Sequence, residues 1–545
     1  MVVSAFHIVQ LMVVFNLRGN QRTSGELSRK EGGKIFGSGS RTPIAITLLV
    51  RNDVARAPSP LRKAEDGLAT SHKARIFYRD IGDYLSRERK LEIVKEIGSM
   101  LDEKMELVEI HPNAKHDWIN QRDGLFDSLI PIGDKKDKTG HTAFLPNYSM
   151  GIVSSRDSWT YNFSQSELTS NMRRTIEFYT DHLDKGFVND VSNISWSRAL
   201  KRNFEKKVKT RFDKNSIVLA VYRPYCKQHL YYDPIWNEMQ LQMPRLFPTP
   251  AKRNRVICTP GNGASKEFSC FMTDNIPDLN LMNAGTQCFP LYVYTKVDEG
   301  AQMGLFDKGD NQYRQESGIT DFMLSRCRAE FGDKITKEDV FYFIYGVLHS
   351  PDYRKRFEAD LKKSLARIPL PKTGAEFAAF VKAGRKLGDL HCGYESAKPW
   401  KDCVVDVVPR QTSLRASAPP RENSLYRVTK MRFAKKDNPT DENGNGKLDR
   451  WEIEDRSRII YNDRITIRGI PLPAYDYVVN GKSAIEWVMD RYQITTNKDS
   501  GIVNDPNKWL EESGDERYIV DLILKVVTVS METQKIVVTL PKLEF

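Results

Sequence analysis

The sequence predicts an α/β sheet at its amino end, followed by an α+β region with a helix-rich carboxy-terminal part. Three observations carry that prediction. Two mostly apolar runs, MVVFNLRG (12–19) and PIAITLLV (43–50), bracket a polar stretch, as buried strands around a loop would. Between about 186 and 295 the runs are short, rich in β-branched and aromatic residues, and punctuated by Pro, Gly and Asn. Beyond residue 316, apolar residues recur at the helical period instead.

Each element follows from its own pattern. RERKLEIVKEIGSML places Leu91, Val94, Ile97 and Leu101 on one helical face. SQSELTSNMRRTIEFYTDHL opens on a capping box, Ser164 to Glu167, and spaces Leu168, Met172, Ile176 and Tyr179 along one stripe. This helix reads as the passage between two domains. SIVLAVY, NRVICT, KEFSCFMTD and PLYVYT read as short strands. Residues 296–316 and 409–424 are polar and read as loops. TKEDVFYFIYGVLHS, YRKRFEADLKKSLA and TGAEFAAFVKAGRKLGDL are helical in pattern, and so, at the end, are AYDYVVNGKSAIEWVMDRY and YIVDLILKVVTVSMETQKIV.

Composition narrows the function classes. The 545 residues carry 83 Lys and Arg against 71 Asp and Glu, a formal net charge of +12, which favours a polyanionic partner such as nucleic acid. With 40% hydrophobic and 10% aromatic residues the chain can build cores and is not a disordered polymer. No apolar run approaches the roughly 18 residues of a membrane span, so no membrane partner is expected. MVVSAFHIVQLMVVF lacks the positive lead of a signal peptide, and a cytoplasmic location follows. Seven cysteines, odd in number and without a CxxC, argue for reduced thiols over a disulfide framework or zinc ribbon.

Candidate sites come from short motifs. IFGSGS (35–40) has the letters of a cofactor turn, yet such a turn follows a strand and opens a helix, whereas here a basic loop precedes and a strand follows. No cofactor site is expected there. The chain has neither GxxxxGK[ST] nor NPP[YFW], the loop with which amino-methyltransferases grip a flipped base. Arg18, Asn20, Arg22, Ser24, Arg29, Lys30, Lys34, Ser38 and Arg41, interleaved with glycines, suit phosphate contacts or form a solvated basic loop. In GIVSSRDSWTYNF, Arg156, Asp157 and Trp159 are the types that read or stack bases, and equally those of a buttressed ion pair. DENGNGKLDRWE (441–452) matches a calcium loop, with Asp441, Asn443, Asn445, Asp449 and Glu452 as oxygen ligands and Gly446 at the turn. An entering helix is missing from the pattern, because VTKMRFAKKDNPT alternates like a strand and carries Pro439, so a plain hairpin connection is expected instead.

Several long strings together point further: VFNLRGNQRTSGELSRKEGGKIFGSGSRTPIAITLLV, SRDSWTYNFS, YRPYCKQHLYYD, NRVICTPGNGASKEFSCFMTD, YGVLHSPDYRKRFEADLKKSLARIPLP, and AYDYVVNGKSAIEWVMDRYQ with SGIVNDPN. In this order they resemble the carboxy-terminal part of Type ISP restriction–modification enzymes, single chains carrying nuclease, helicase-like translocase, adenine methyltransferase and target recognition domain. The resemblance runs from about residue 12 to the end. It implies that 12–165 is the carboxy-terminal half of a methyltransferase domain, with a partial sheet, and that 166–545 is the target recognition domain. It implies double-stranded DNA as partner. S-adenosylmethionine, ATP and magnesium belong to the complete family enzyme, and no cofactor or catalytic residue is expected in this chain. The chain resembles a truncated or split reading frame, inactive alone, for which an upstream polypeptide could supply nuclease, helicase and methyltransferase motifs. The calcium motif falls where the resemblance lapses, between KMRFAKKD and IIYNDRITI. Three readings follow: a DNA specificity portion, half of a split adenine methyltransferase, and a calcium-stabilised structural protein.

Overall fold

The structure, a computed structural model, describes residues 9–21, 25–36, 41–51, 74–100, 102–136, 139–297, 312–408, 425–440, 448 and 450–545. It is a mixed α/β chain that divides into two compact units. One comprises residues up to 122 with 438–453, the other 123–437 with 454–545. Residue 165 falls inside the second unit. No helix among the described residues is long and apolar enough to cross a membrane.

The first unit holds a four-stranded sheet in the order β2–β1–β3–β4, with β1 Val9–Arg18, β2 Ile44–Arg51, β3 Arg75–Asp80 and β4 Val108–Ile110. β1 runs parallel to β3 and antiparallel to β2. Helices α1 (Gly25–Glu31) and α2 (Arg87–Ile97) accompany it. Phe15, Leu17, Ile81, Ile97 and Met105 share its core.

Two expectations are corrected here. β2 is an edge strand, not a buried one, and Ile46, Leu48, Leu49 and Val50 are exposed. An apolar run shows that a strand can be covered, not that something covers it. Leu91 is exposed too, because α2 turns Lys90, Ile93, Val94 and Ile97 inward. Buried Lys90 donates to the carbonyls of Glu31 (2.6 Å) and Gly33 (2.9 Å). Burial lowers its pKa to about 8.

In the second unit, Val256–Thr259 lies between Phe271–Thr273 and Gln287–Pro290, with Ser149–Met150 at the edge. The hairpin Ile217–Arg223/Cys226–Tyr231 lies between Ile276–Pro277 and Tyr161–Asn162. A third sheet joins Val404–Val407, Ile465–Arg468, Glu454–Ile460 and Arg432–Lys435 in that order. Helices Lys337–Val347 and Gly374–Cys392 cross where Gly346 and Gly384 meet. A Cβ on Gly384 would overlap the Tyr342 carbonyl, so the backbones touch only because no side chain intervenes. Helix Tyr518–Val538 buries Ile519, Ile523, Val526 and Val527 in the main core.

The polar stretch 296–316 ends in a strand, Tyr313–Ser317, paired with Tyr292–Lys296, while 298–311 and 409–424 lie outside the described residues. AYDYVVNGKSAIEWVMDRY is α-helical only over Ala484–Arg491, and its Ala474 and Tyr475 end a short 3-10 helix, Leu472–Tyr475. Between the two lies a hairpin, Val478–Val479 with Lys482–Ser483, turned by Asn480 and Gly481, both at positive φ. That is the demand of a type I′ turn, and Asn-Gly meets it.

Of the calcium motif, 441–447 and Asp449 lie outside the described residues, and Glu452 is buried. The segment before it is the strand Arg432–Lys435, paired antiparallel with Glu454–Ile460, where a calcium loop would have an entering helix. Among the described residues no group of three or more His, Cys, Asp or Glu is placed to hold a metal.

Candidate nucleic-acid interface

The glycine-rich basic loop of the first unit is largely engaged with its own unit. Arg18 donates from Nε to Asp80 (2.6 Å) and pairs with Asp83. The Asn20 amide is held by Glu31 (2.8 Å). The amides of Gly19 and Gly33 are bonded to Glu31 (3.1 Å) and Leu85 (2.9 Å). Any Cβ on Gly32 or Gly33 would overlap the backbone at Leu85 or Arg87, so these glycines permit packing rather than present amides. Lys34 is half-buried and Arg41 exposed, while Arg22, Ser24 and Ser38 lie outside the described residues.

In the second unit α3 (Asp157–Thr160), α4 (Gln165–His182) and α5 (Arg198–Glu205) form a small aromatic module. Its core is Leu168, Met172, Ile176 and Tyr179 of α4 with Leu200, Phe204, Tyr231 and Trp236. All four residues of the stripe expected on α4 are buried. Ser164 caps the helix by accepting from the Glu167 amide (2.9 Å). The return half of the expected capping box is absent. Glu512 instead accepts from the Ser164 hydroxyl (2.6 Å) and the Gln165 amide (2.7 Å).

Arg156 and Trp159 are buried, and the structure places them behind a surface instead of on one. The Arg156 guanidinium donates to the carbonyls of Ser195 (3.2 Å) and Trp236 and to the Ser197 hydroxyl. Burial draws its pKa down to about 10, opposed by Glu238. Ser197 is the N-cap of α5, and Glu238 accepts from the Ala199 amide (3.1 Å). Arg156 and Glu238 therefore set the entry of α5. Asp157 accepts from Ser154 and from Tyr222 (3.1 Å). Trp159 supports the Arg174 guanidinium, 4.9 Å from its ring centroid.

What that scaffold presents is RALKRNFEKKVKTRFDK, 198–214. Eight Lys and Arg against two acids give it half of the chain's net charge of +12. Arg198, Lys201, Arg202, Lys206, Lys207, Lys209, Arg211 and Lys214 are all exposed. Lys207 pairs with Asp184 (3.0 Å), and none of the other seven has an ion pair among the described residues. Beyond α5 the backbone is irregular but pinned. Tyr179 donates to the Val208 carbonyl (3.0 Å), and Phe212 stacks on Tyr231 (5.6 Å) under Arg173 (4.2 Å). A local signal marks the segment: Leu200, Phe204, Val208 and Phe212 recur every fourth residue between the cations.

On another face of α4, an open cleft of about 290 Å³ lies between this helix and the segment around Ser500–Lys508. Asn162 closes one end by donating to the Val503 carbonyl (3.1 Å), and Asn504 accepts from the Phe163 amide (2.9 Å). Exposed cations suit a phosphate backbone, and the polar groups of a cleft suit base edges.

The family model described as the Type ISP C-terminal specificity domain matches residues 143–522. Solved structures agree. The chain is similar over 100% of its length, at 35% identity and a TM-score of 0.76, to a nuclease-deletion mutant of the Type ISP restriction–modification enzyme LlaGI in complex with a DNA substrate mimic. It is similar over 99%, at 33% identity and 0.78, to the ATP-dependent Type ISP enzyme LlaBIII bound to DNA. A DrdV–DNA complex matches 98% of the chain at 28% identity and 0.74. The chain spans 38%, 31% and 48% of those chains, respectively. A search of curated proteins returned no match.

Proposed function

The chain belongs to the Type ISP family through its C-terminal specificity domain, and on that premise we propose that it recognises a double-stranded DNA sequence. One observation of its own structure carries the reading: the unpaired cations of 198–214, held on a module whose aromatic core fixes their positions. Lys and Arg against phosphates supply affinity by counterion release, and a fixed array supplies register. The DNA-bound state of the LlaGI, LlaBIII and DrdV structures supports the same partner.

The methyl donor, ATP and magnesium belong to the complete family enzyme, and the candidate turn for the donor is IFGSGS (35–40). Ile35 and Phe36 lie between α1 and β2, where a donor turn would need a strand before it and a helix after it. We therefore assign those groups to other parts of the complete enzyme and expect no methyl transfer by this chain alone. A second reading, half of an adenine methyltransferase completed by an upstream polypeptide, is favoured by the exposed apolar edge strand β2. Co-purification of the two polypeptides with restored methylation would support it.

The test of DNA recognition is selection of bound duplexes from a random pool, followed by titration at increasing salt. Enrichment of one sequence, with affinity falling steeply as salt rises, is the expected result. Absence of binding at low salt, or binding with no enrichment, refutes it.

A further inference from the structure

The geometry points to α4 as the base-reading element, with Glu167, Asn171 and Arg174 contacting base edges in the major groove. The inference rests on the DNA-recognition reading and adds which residues supply specificity. The three lie at i, i+4 and i+7, within about 60° of one face of the helix. They span about 10 Å along its axis, roughly three base-pair steps. All three line the cleft, and their side-chain polar atoms make no hydrogen bond or ion pair among the described residues.

Their chemistry differs from that of the phosphate-facing segment. A carboxylate, a carboxamide and a guanidinium on one short face are the acceptor, mixed and donor groups that match cytosine N4, adenine N6/N7 and guanine O6/N7. A carboxylate on a surface meant only for phosphates would repel them. Arg174 is preoriented by the Trp159 ring behind it, and a planar fork held in one direction suits bidentate pairing. The helix itself is fixed from both sides, by its buried stripe and by Glu512 at its N-terminus.

The experiment takes the selected duplex and its single-base variants and measures binding by the full chain and by Glu167→Ala, Asn171→Ala and Arg174→Ala. Each substitution should abolish discrimination of about ten- to hundredfold at one base pair, at a cytosine, an adenine and a guanine respectively. The three positions should fall within about four consecutive pairs. Arg174→Lys keeps the charge and loses the fork, so it should also relax the guanine position while leaving the salt dependence unchanged. A uniform loss over all duplexes, or unchanged discrimination in all variants, overturns the inference while DNA recognition stands. Failure of the unsubstituted chain to select DNA brings down both.

Discussion

Neutralising part of the basic segment should change the salt dependence of DNA binding by a calculable amount. In Arg198→Gln, Arg202→Gln, Lys209→Gln and Arg211→Gln combined, each replaced cation is exposed and unpaired, so little else changes. Glutamine keeps a polar stem and a good helix propensity on α5. If each cation neutralises one phosphate, each contributes about 0.9 to the slope of log affinity against log salt, and the slope falls by about 3.6. At about 0.15 M salt one such contact is worth roughly five- to sixfold, so four lost contacts weaken binding about a thousandfold. Surface replacements of this kind cost within about 0.5 kcal/mol each in stability, so the melting temperature reports whether the fold survives. Fluorescence anisotropy of labelled duplex, titrated from about 50 to 300 mM salt, measures both numbers. The ratio of cognate to non-cognate affinity should stay constant, because phosphate contacts carry little base information. A slope that drops by less than one unit in a folded variant would place the phosphates elsewhere and refute the reasoning.

Three further outcomes are expected. Gly384→Ala should destabilise the second unit by about 3 kcal/mol in denaturant unfolding, because its Cβ overlaps the Tyr342 carbonyl and the two helices must separate. Stability should fall on acidification from about pH 6.5 toward 3. His391 is fully buried and bonded to Tyr345 (2.6 Å) and Thr533 (2.9 Å), beside Tyr477 and near His349 and Arg354. Burial lowers its pKa to about 3, so the unfolded chain binds a proton in that window that the folded chain rejects. The stabilisation present above pH 6.5 and lost by pH 3 is on the order of 5 kcal/mol. Melting temperature against pH should be flatter in His391→Gln. Millimolar calcium should leave the melting temperature unchanged, whereas a micromolar site confined to the folded state would add several kcal/mol; an upward shift abolished by Glu452→Gln would restore the calcium loop.

How much of this was legible in the sequence depended on how far each residue's partners lie along the chain. The α4 stripe was legible because Leu168, Met172, Ile176 and Tyr179 obey a local period, and all four are buried. The strands SIVLAVY and PLYVYT announced themselves the same way. Arg156, Asp157 and Trp159 were legible as base-reading groups or as a buttressed ion pair, and the local pattern did not choose between the two. The Arg156 partners Ser195, Ser197 and Trp236 lie 39, 41 and 80 residues away, and no local pattern encodes them. The same distance problem hid the Glu512 cap on α4, 348 residues from Ser164. The exposure of β2 was hidden for another reason, since an apolar strand looks alike whether or not something covers it. Asn480–Gly481 was a local signal for a hairpin, masked by the helical period that begins just after it. The basic segment carried its signal openly, but α5 ends at Glu205 and the cations after it owe their fixed positions to Tyr179, Tyr231 and Trp236.

That last dependence bears on the proposed division between phosphate-facing cations on 198–214 and base-reading groups on α4. Lysine and arginine heads facing phosphates tolerate side-chain freedom on a pinned backbone, because a point charge loses little when displaced slightly. Base-edge pairing does not, since a hydrogen bond weakens steeply once its angle departs from linear. The structure distributes rigidity accordingly. α4 has a buried apolar face, an N-terminus held by a carboxylate, and a hairpin strand tied to its lead-in at Asn162 and Phe163. The segment 206–214 has only a few anchoring aromatics and an irregular backbone. A module built to bind any polyanion would have no use for the tighter half. The Glu512 cap joins α4 to the chain's last hundred residues, so that face is complete only when the carboxy-terminal helices have folded onto it. Base reading by α4, as proposed, would thus require the fold of the second unit around Glu512, while the proposed phosphate contacts sit on one short segment, 198–214.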